Sequence, residues 1–124
     1  MSGNSLFVDT NIILYLLNGD EDVKQYLQGN DIYISIISEM ELLSFPEISE
    51  NELKEIVKLL KQVKIIDINY AVKQNAINFR RKYKIKLPDS IVLATAKYLE
   101  LPILTADKQL SKVEEEIDVI IYKP

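Results

Sequence analysis

A chain of 124 residues is long enough for one domain that buries about two thirds of the surface its unfolded form exposes. It has no cysteine and no histidine, which excludes disulfides, zinc–thiolate sites and catalytic triads built on histidine. Its formal net charge of -4 argues against a general nucleic-acid coat, because phosphate binding depends on lysine and arginine. We expect one cytoplasmic domain at 1–124 without a signal peptide or a membrane span, since residues 1–5 lack Lys and Arg and the apolar run at 12–17 is short.

The first half of the chain alternates apolar runs with capping residues, which predicts strands at 6–8 and 32–36 and helices at 12–17, 21–28, 38–43 and 50–60. The first strand stops at Asp9, where a helix begins. Ser38 precedes Glu41 by three positions, and Ser49 precedes Glu52 by three positions. Both pairs have the spacing of a capping box, in which each side chain accepts a hydrogen bond from the other residue's backbone.

The second half predicts strands at 65–68, 102–105 and 119–122, helices at 70–83 and 90–99, and a single turn at 108–112. The helix at 90–99 is apolar or small almost all the way round, so it should be buried. Asp89 lies at its start, and Pro102 prevents it from continuing. Asp107 follows the next strand directly.

Strands that alternate with helices predict an α/β fold, a three-layer α/β/α sandwich around a mostly parallel five-stranded sheet. In such a sheet every strand ends at the same edge, and ligands bind outside that edge. Asp9, Glu41, Asp89 and Asp107 should therefore share one edge of the sheet.

Each of these acids also has an ordinary explanation, because acidic residues cap helices and parallel sheets gather helix starts at one edge. Several carboxylates without a neighbouring cation should repel one another, which raises their pKa values or recruits a metal ion. Oxygen ligands alone select Mg²⁺ or Mn²⁺. Upstream of Asp89, the acid-free segment 68–88 concentrates lysine and arginine, either as a solvated helix end or as a surface for a polyanion.

Four segments in this order resemble the PIN-domain ribonucleases, and most of all the small VapC-type toxins of prokaryotic toxin–antitoxin pairs. They read FVDTN at 7–11, SEMEL at 38–42, LPDSIVLATA at 87–96 and LTAD at 104–107. The resemblance implies a PIN-like fold and a Mg²⁺- or Mn²⁺-dependent endoribonuclease that leaves a 5′-phosphate and a 3′-hydroxyl. It also implies a homodimer that a small antitoxin protein silences.

The resemblance further implies roles for individual residues. The metal ligands and catalytic residues would be Asp9, Glu41, Asp89 and Asp107. Glu41 is preferred to Glu39 because it precedes Leu42, as in the family pattern. Asn11 and Thr105 would orient water and carboxylates. Some relatives carry a further acid where this chain has Gln109, so the number of metal ions is open.

The RNA substrate would then need a local basic surface, for which we predict Arg80, Arg81 and Lys82. Two other interpretations remain. The chain is a PIN fold that binds a partner with weak or lost catalysis, or it is a Mg²⁺-binding receiver domain of a two-component system. The receiver interpretation would place an acid at the end of the third strand, whereas Asp67 is predicted to lie inside that strand.

Overall fold

The computed structural model describes residues 4–124, so residues 1–3 of the predicted domain lie outside the described range. Five strands form one sheet: β1 (Ser5–Val8), β2 (Asp31–Ser35), β3 (Lys64–Ile66), β4 (Ile103–Thr105) and β5 (Val119–Ile121). Their order is β3-β2-β1-β4-β5, and all four neighbouring pairs are parallel. The predicted α/β fold with a parallel five-stranded sheet is confirmed.

Helices connect the strands: α1 (Thr10–Leu17), α2 (Glu21–Leu27), α3 (Ile36–Leu43), α4 (Glu50–Leu60), α5 (Tyr70–Tyr83), α6 (Leu87–Leu99) and a 3₁₀ helix, Lys108–Val113. Successive residues of β1 enter different cores, because strand side chains alternate between faces. Leu6 and Val8 join the core with α1, α2 and α4, whereas Phe7 joins the core with α5 and α6. None of the helices in 4–124 is long and apolar enough to cross a membrane.

The start of α3 differs from the prediction. Ser35 caps this helix by accepting a hydrogen bond from Ile37 N at 3.0 Å. Ser38 lies inside the helix and is buried, so the capping box predicted for Ser38 and Glu41 is wrong. The capping box of Ser49 and Glu52 is confirmed, with both hydrogen bonds at 3.1 Å.

The helix α6 also begins earlier than predicted, at Leu87 instead of Ser90. Lys86 is its N-cap residue and makes no capping hydrogen bond with its side chain. Asp89 is therefore not an N-cap but lies in the first turn, after Pro88, a residue that suits the first positions of a helix. Its carboxylate is not used in capping. The predicted burial of this helix is confirmed, because residues 92–96 are all buried.

The topology excludes the receiver interpretation. Strand β3 ends at Ile66, so Asp67 follows the strand and does not lie inside it as predicted. However, β3 is the edge strand and is separated from β1 by β2. A receiver has the order 2-1-3-4-5, which places its third strand beside the first. Asp67 is thus two strands away from Asp9.

Candidate functional site

Asp9 lies at the end of the central strand and is buried, with 7% of its surface exposed. Its Oδ1 accepts a hydrogen bond from Thr10 N at 2.8 Å, which caps α1. Its Oδ2 accepts a hydrogen bond from Thr105 Oγ1 at 2.8 Å and a longer one from Asn11 Nδ2 at 3.4 Å. Three neighbouring groups thus hold one buried carboxylate in a fixed orientation.

Asn11 and Thr105 connect the ends of β1 and β4. Asn11 Oδ1 accepts a hydrogen bond from Ala106 N at 3.1 Å, which directs the amide group toward Asp9. Thr105 Oγ1 accepts a hydrogen bond from Asp107 N at 3.0 Å while donating to Asp9. Both residues predicted to orient carboxylates therefore contact the Asp9 carboxylate.

Glu41 lies on the exposed side of α3 and is held by α1. Thr10 Oγ1 donates a hydrogen bond to Glu41 Oε1 at 2.6 Å and is also hydrogen-bonded to Ser38 Oγ at 2.9 Å. The sequence pattern predicts no role for Thr10 and a capping role for Ser38. The polar run of Asp9, Thr10 and Asn11 was the available signal that Thr10 faces the site.

Asp89 and Asp107 line a second part of the site, a cleft of about 280 Å³ beside the start of α6. Both are partly exposed. Asp107 caps the 3₁₀ helix by accepting a hydrogen bond from Gln109 N at 2.9 Å. The same cleft is lined by Lys84, Ile85, Lys86, Gln109, Leu110 and Lys112.

The four acids influence one another electrostatically. Burial raises the pKa of Asp9 from 3.8 to about 6, against the hydrogen bonds from Thr105 and Thr10, and the charges of Asp89 and Glu41 raise it further. The pKa of Asp89 is also raised, first by burial and then by the charges of Asp107 and Glu41, although Lys86 opposes this shift. The predicted acids thus lie at one edge of the sheet and carry negative charge that is incompletely balanced.

The donor set fits Mg²⁺ or Mn²⁺ chemically, because it consists of carboxylate, hydroxyl and amide oxygens. The side chains as they stand do not form a preassembled centre. Across 4–124, no group of three or more acidic side chains is arranged so that it would hold a metal ion. Glu41 is hydrogen-bonded to Thr10, and Asp9 is hydrogen-bonded to Thr105. Metal binding therefore requires some of the carboxylate oxygens to turn toward a common point.

The residues predicted to bind RNA lie on different faces of α5. Arg80 lines a cavity of about 580 Å³ together with Lys84 and Lys86, next to the cleft. Two positions along a helix turn a side chain by roughly 200°, so Lys82 lies on another face, where its Nζ is 3.4 Å from Glu116 Oε2. Arg81 is exposed. An RNA role for these residues remains a prediction.

Comparisons with known proteins identify the family. The PIN domain family model matches residues 6–116, a range that contains all four predicted acids. The chain is similar to a toxin-antitoxin complex from Klebsiella pneumoniae, with 30% identity, 98% of this chain and 100% of that chain covered, and a TM-score of 0.80. A comparison with curated protein sequences gives no match.

Two further solved structures share the fold at lower identity. VapBC2 from Rickettsia felis, bound to a promoter DNA fragment, gives 18% identity and a TM-score of 0.84, with 96% of this chain and 99% of that chain covered. VapBC-1 from nontypeable Haemophilus influenzae gives 21% identity and a TM-score of 0.77, with 94% of this chain and 97% of that chain covered. The resemblance inferred from four sequence segments is confirmed: the chain belongs to the PIN domain family.

Proposed function

We propose that this chain is a Mg²⁺- or Mn²⁺-dependent endoribonuclease and the toxin of a prokaryotic toxin–antitoxin pair. PIN domains are nucleases, so nuclease activity is the family-level expectation, and the metal, the RNA substrate and the toxin role are our proposal. The observation that supports it most is the environment of Asp9. A buried carboxylate whose pKa is raised to about 6, near Asp89 and Glu41, has too little positive charge around it.

Asp9, Glu41, Asp89 and Asp107 would hold the metal. A bound divalent ion would lower the pKa of a water molecule and offset negative charge on the scissile phosphate. Because the chain contains no histidine, that chemistry replaces a side-chain base. Thr105 and Asn11 hold the Asp9 carboxylate at the end of the central strand, which fixes one of the proposed ligands in place.

The proposed partners are RNA and a small antitoxin protein, and the proposed assembly is a homodimer. The Klebsiella structure is described as a toxin-antitoxin complex, and its similarity covers the whole of that chain. Large apolar side chains remain exposed on this chain, among them Met40 at 60% and Tyr70 at 72% exposure. The cytoplasmic location stays a prediction.

A second candidate is a PIN fold that binds a partner without cleaving RNA. The bond from Thr10 to Glu41 favours it, because a ligand tied to a neighbouring hydroxyl is less ready to bind a metal. It also agrees with the lack of a preassembled acidic centre within the described chain. Cleavage assays distinguish the two candidates.

The test is cleavage of a labelled, structured RNA pool with Mg²⁺, with Mn²⁺ and with EDTA. Wild type is compared with Asp89→Asn, which keeps the shape and removes the charge. Asp118→Asn is the matched control, because Asp118 is exposed and lies just before β5, at the opposite edge of the sheet. All three proteins are purified in parallel and their melting temperatures compared.

We expect wild type and Asp118→Asn to cut RNA only with metal, and Asp89→Asn to lose at least about a hundredfold in rate, the effect of removing a major charge-stabilising group. Cutting that survives EDTA, or equal cutting by Asp89→Asn, contradicts the proposal. Folded wild-type protein that cuts no RNA under any condition would favour the binding-protein candidate.

A further inference from the structure

Three lysines and two acids share the cleft next to Asp9. Lys84 and Lys86 come from the connection between α5 and α6, and Lys112 comes from the 3₁₀ helix. The two acids are Asp89 and Asp107. Counting formal charges, three lysines against two carboxylates leave this cleft positive by one, although the whole chain is negative.

The backbone places Lys84 and Lys86 there. The helix α5 ends at Tyr83, and Lys84 is its C-cap residue with φ 57°, in the left-handed region that is unusual for a residue other than glycine. This conformation turns the chain sharply, so that α6 begins after only two more residues. Ile85 is buried between them, which anchors the connection and leaves Lys84 and Lys86 exposed.

The three lysines are also not used in ion pairs. The ion pairs in the part of the chain that the structure describes join Glu116 to Lys82 and to Lys97. Lys86 is near enough to Asp89 to lower its pKa but lies beyond 4 Å, so no close pair forms. The lysines of the cleft therefore remain available to an anionic ligand.

We propose that Lys84, Lys86 and Lys112 form a phosphate-binding subsite that holds an RNA phosphate adjacent to the one being cleaved. This inference rests on the proposed function, since the acids of the same cleft would hold the reacting phosphate. Lys84 and Lys86 also line the neighbouring cavity of about 580 Å³, which reaches Arg80. The positive surface thus extends from Lys112 through Lys84 and Lys86 to Arg80, as a path for a single strand.

RNA suits this surface better than an acidic protein segment does. A polyanion with a charge on every residue places one phosphate at the acids and the next at the lysines. An acidic protein segment carries its charges at irregular spacing along the chain, so it offers no such regular placement of one anion at the acids and the next at the lysines. The inference also assigns binding to Lys84 and Lys86 in place of Lys82, whose ammonium group is paired with Glu116.

The binding test uses a short fluorescent single-stranded RNA in EDTA, which prevents metal-dependent cleavage, at several salt concentrations. The variants are Lys84→Asn, Lys86→Gln and Lys112→Gln, singly and combined. Asparagine is chosen at position 84 because it tolerates the left-handed conformation. The charge-matched controls are Lys58→Gln and Lys61→Gln, which lie at the end of α4, near the opposite edge of the sheet.

Each cleft variant should bind RNA about fivefold more weakly, and the triple variant should reduce the slope of log affinity against log salt by about 2, at roughly 0.7 per contact. The controls should change affinity by less than about twofold. Equal losses in cleft and control variants would overturn the subsite, since they would report net charge alone. Unchanged RNA affinity in the triple variant would also overturn the proposed subsite. The lysines would then be assigned to a contact with a protein.

A cleavage measurement separates this inference from the proposed function. If wild type cuts RNA, the cleft variants should raise KM with little change in kcat, because they contact a phosphate that does not react. Lys84→Arg, which keeps the charge, should restore most of the loss at that position. If wild type cuts no RNA, the proposed function fails, while the binding comparison still decides whether the lysines hold a phosphate chain.

Discussion

Thr105 Oγ1 donates a hydrogen bond to Asp9 Oδ2 at 2.8 Å, although the two residues lie 96 positions apart in the chain. The bond joins the ends of two neighbouring parallel strands, β1 and β4. It lowers the pKa of Asp9 against the larger effect of burial. A neutral hydroxyl thus stabilises the charged form of a carboxylate that its surroundings would otherwise protonate.

Thr105→Val should therefore destabilise the protein and weaken activity. Valine keeps the shape but leaves Asp9 Oδ2 without its best donor and Asp107 N without its acceptor. A lost hydrogen bond to a buried charged group costs about 1.5–3 kcal/mol. Urea denaturation at pH 7 measures this cost, and in EDTA the pH dependence of stability should move to higher pH because the pKa of Asp9 rises.

Thr95→Val is the control for that substitution. Thr95 is equally buried, but its hydroxyl bonds to Ile91 O inside α6. It should lower stability without moving the pH dependence of stability in EDTA. An identical pH dependence for Thr105→Val and wild type would show that Thr105 contributes packing alone.

The acidic edge was predictable from the sequence because parallel strands end together, and that rule requires no knowledge of side-chain contacts. The bond from Thr10 to Glu41 was not predictable, because it depends on how α1 and α3 are placed relative to each other. The start of α3 was misplaced for a different reason. Ser35 and Ser38 both suit an N-cap, and the apolar run between them fits a strand or a helix equally well.

In the absence of metal, removing the charge of Asp9 should stabilise the protein. A raised pKa in the folded state means that ionised Asp9 opposes folding above about pH 6, and that stability is gained as pH falls from about 6 toward 3.8. Asp9→Asn should therefore melt at a higher temperature than wild type at pH 8 in EDTA, and its free energy of unfolding should be higher by on the order of 3 kcal/mol.

The same comparison at pH 4 provides the internal control, because wild-type Asp9 is then mostly protonated and the difference should nearly vanish. Thermal unfolding followed by circular dichroism at both pH values measures it. A lower melting temperature for Asp9→Asn at pH 8 would mean that the bonds from Thr10 and Thr105 to the carboxylate outweigh its burial.

Divalent metal should raise the melting temperature of wild type. A ligand at a hundred times its dissociation constant adds about 2.7 kcal/mol to the free energy of unfolding. Mg²⁺ and Mn²⁺ should give this gain in wild type and in Asp118→Asn, whereas Asp9→Asn and Asp89→Asn should lose most of it. Equal gains in all four proteins would place the bound metal elsewhere.

The helix α6 illustrates a limit of reading caps from sequence. An aspartate before an apolar helix indicates an N-cap, yet Pro88 suits the first turn equally well and moves the start to Leu87. The concentration of lysine and arginine upstream of Asp89 is visible in the sequence. Which of these residues line the cleft and which lie on other faces is not. The left-handed Lys84 decides which lysines face the cleft, and no local pattern predicts that conformation for lysine.

Glu116 should make stability depend on pH far from the acidic site. It accepts hydrogen bonds from Lys97 Nζ at 2.8 Å, from Tyr83 Oη and from Lys82 Nζ, and so ties the segment after the 3₁₀ helix to α5 and α6. The Lys97 bond, then the Tyr83 bond, lowers its pKa from 4.5 to about 2. A lowered pKa in the folded state gives stability that is present above about pH 4.5 and is lost as pH falls toward 2.

Glu116→Gln should therefore cost about 1 kcal/mol at pH 7, a modest value because the Lys82 side chain is 64% exposed and solvent screens its attraction to Glu116. The cost should shrink steadily between pH 4.5 and pH 2, since wild type loses the same charge there. Urea denaturation of wild type, Glu116→Gln and the exposed neighbour variant Glu115→Gln across this range measures it. A cost that is constant with pH would assign Glu116 a packing role, whereas an equal cost in Glu115→Gln would indicate a change in net charge.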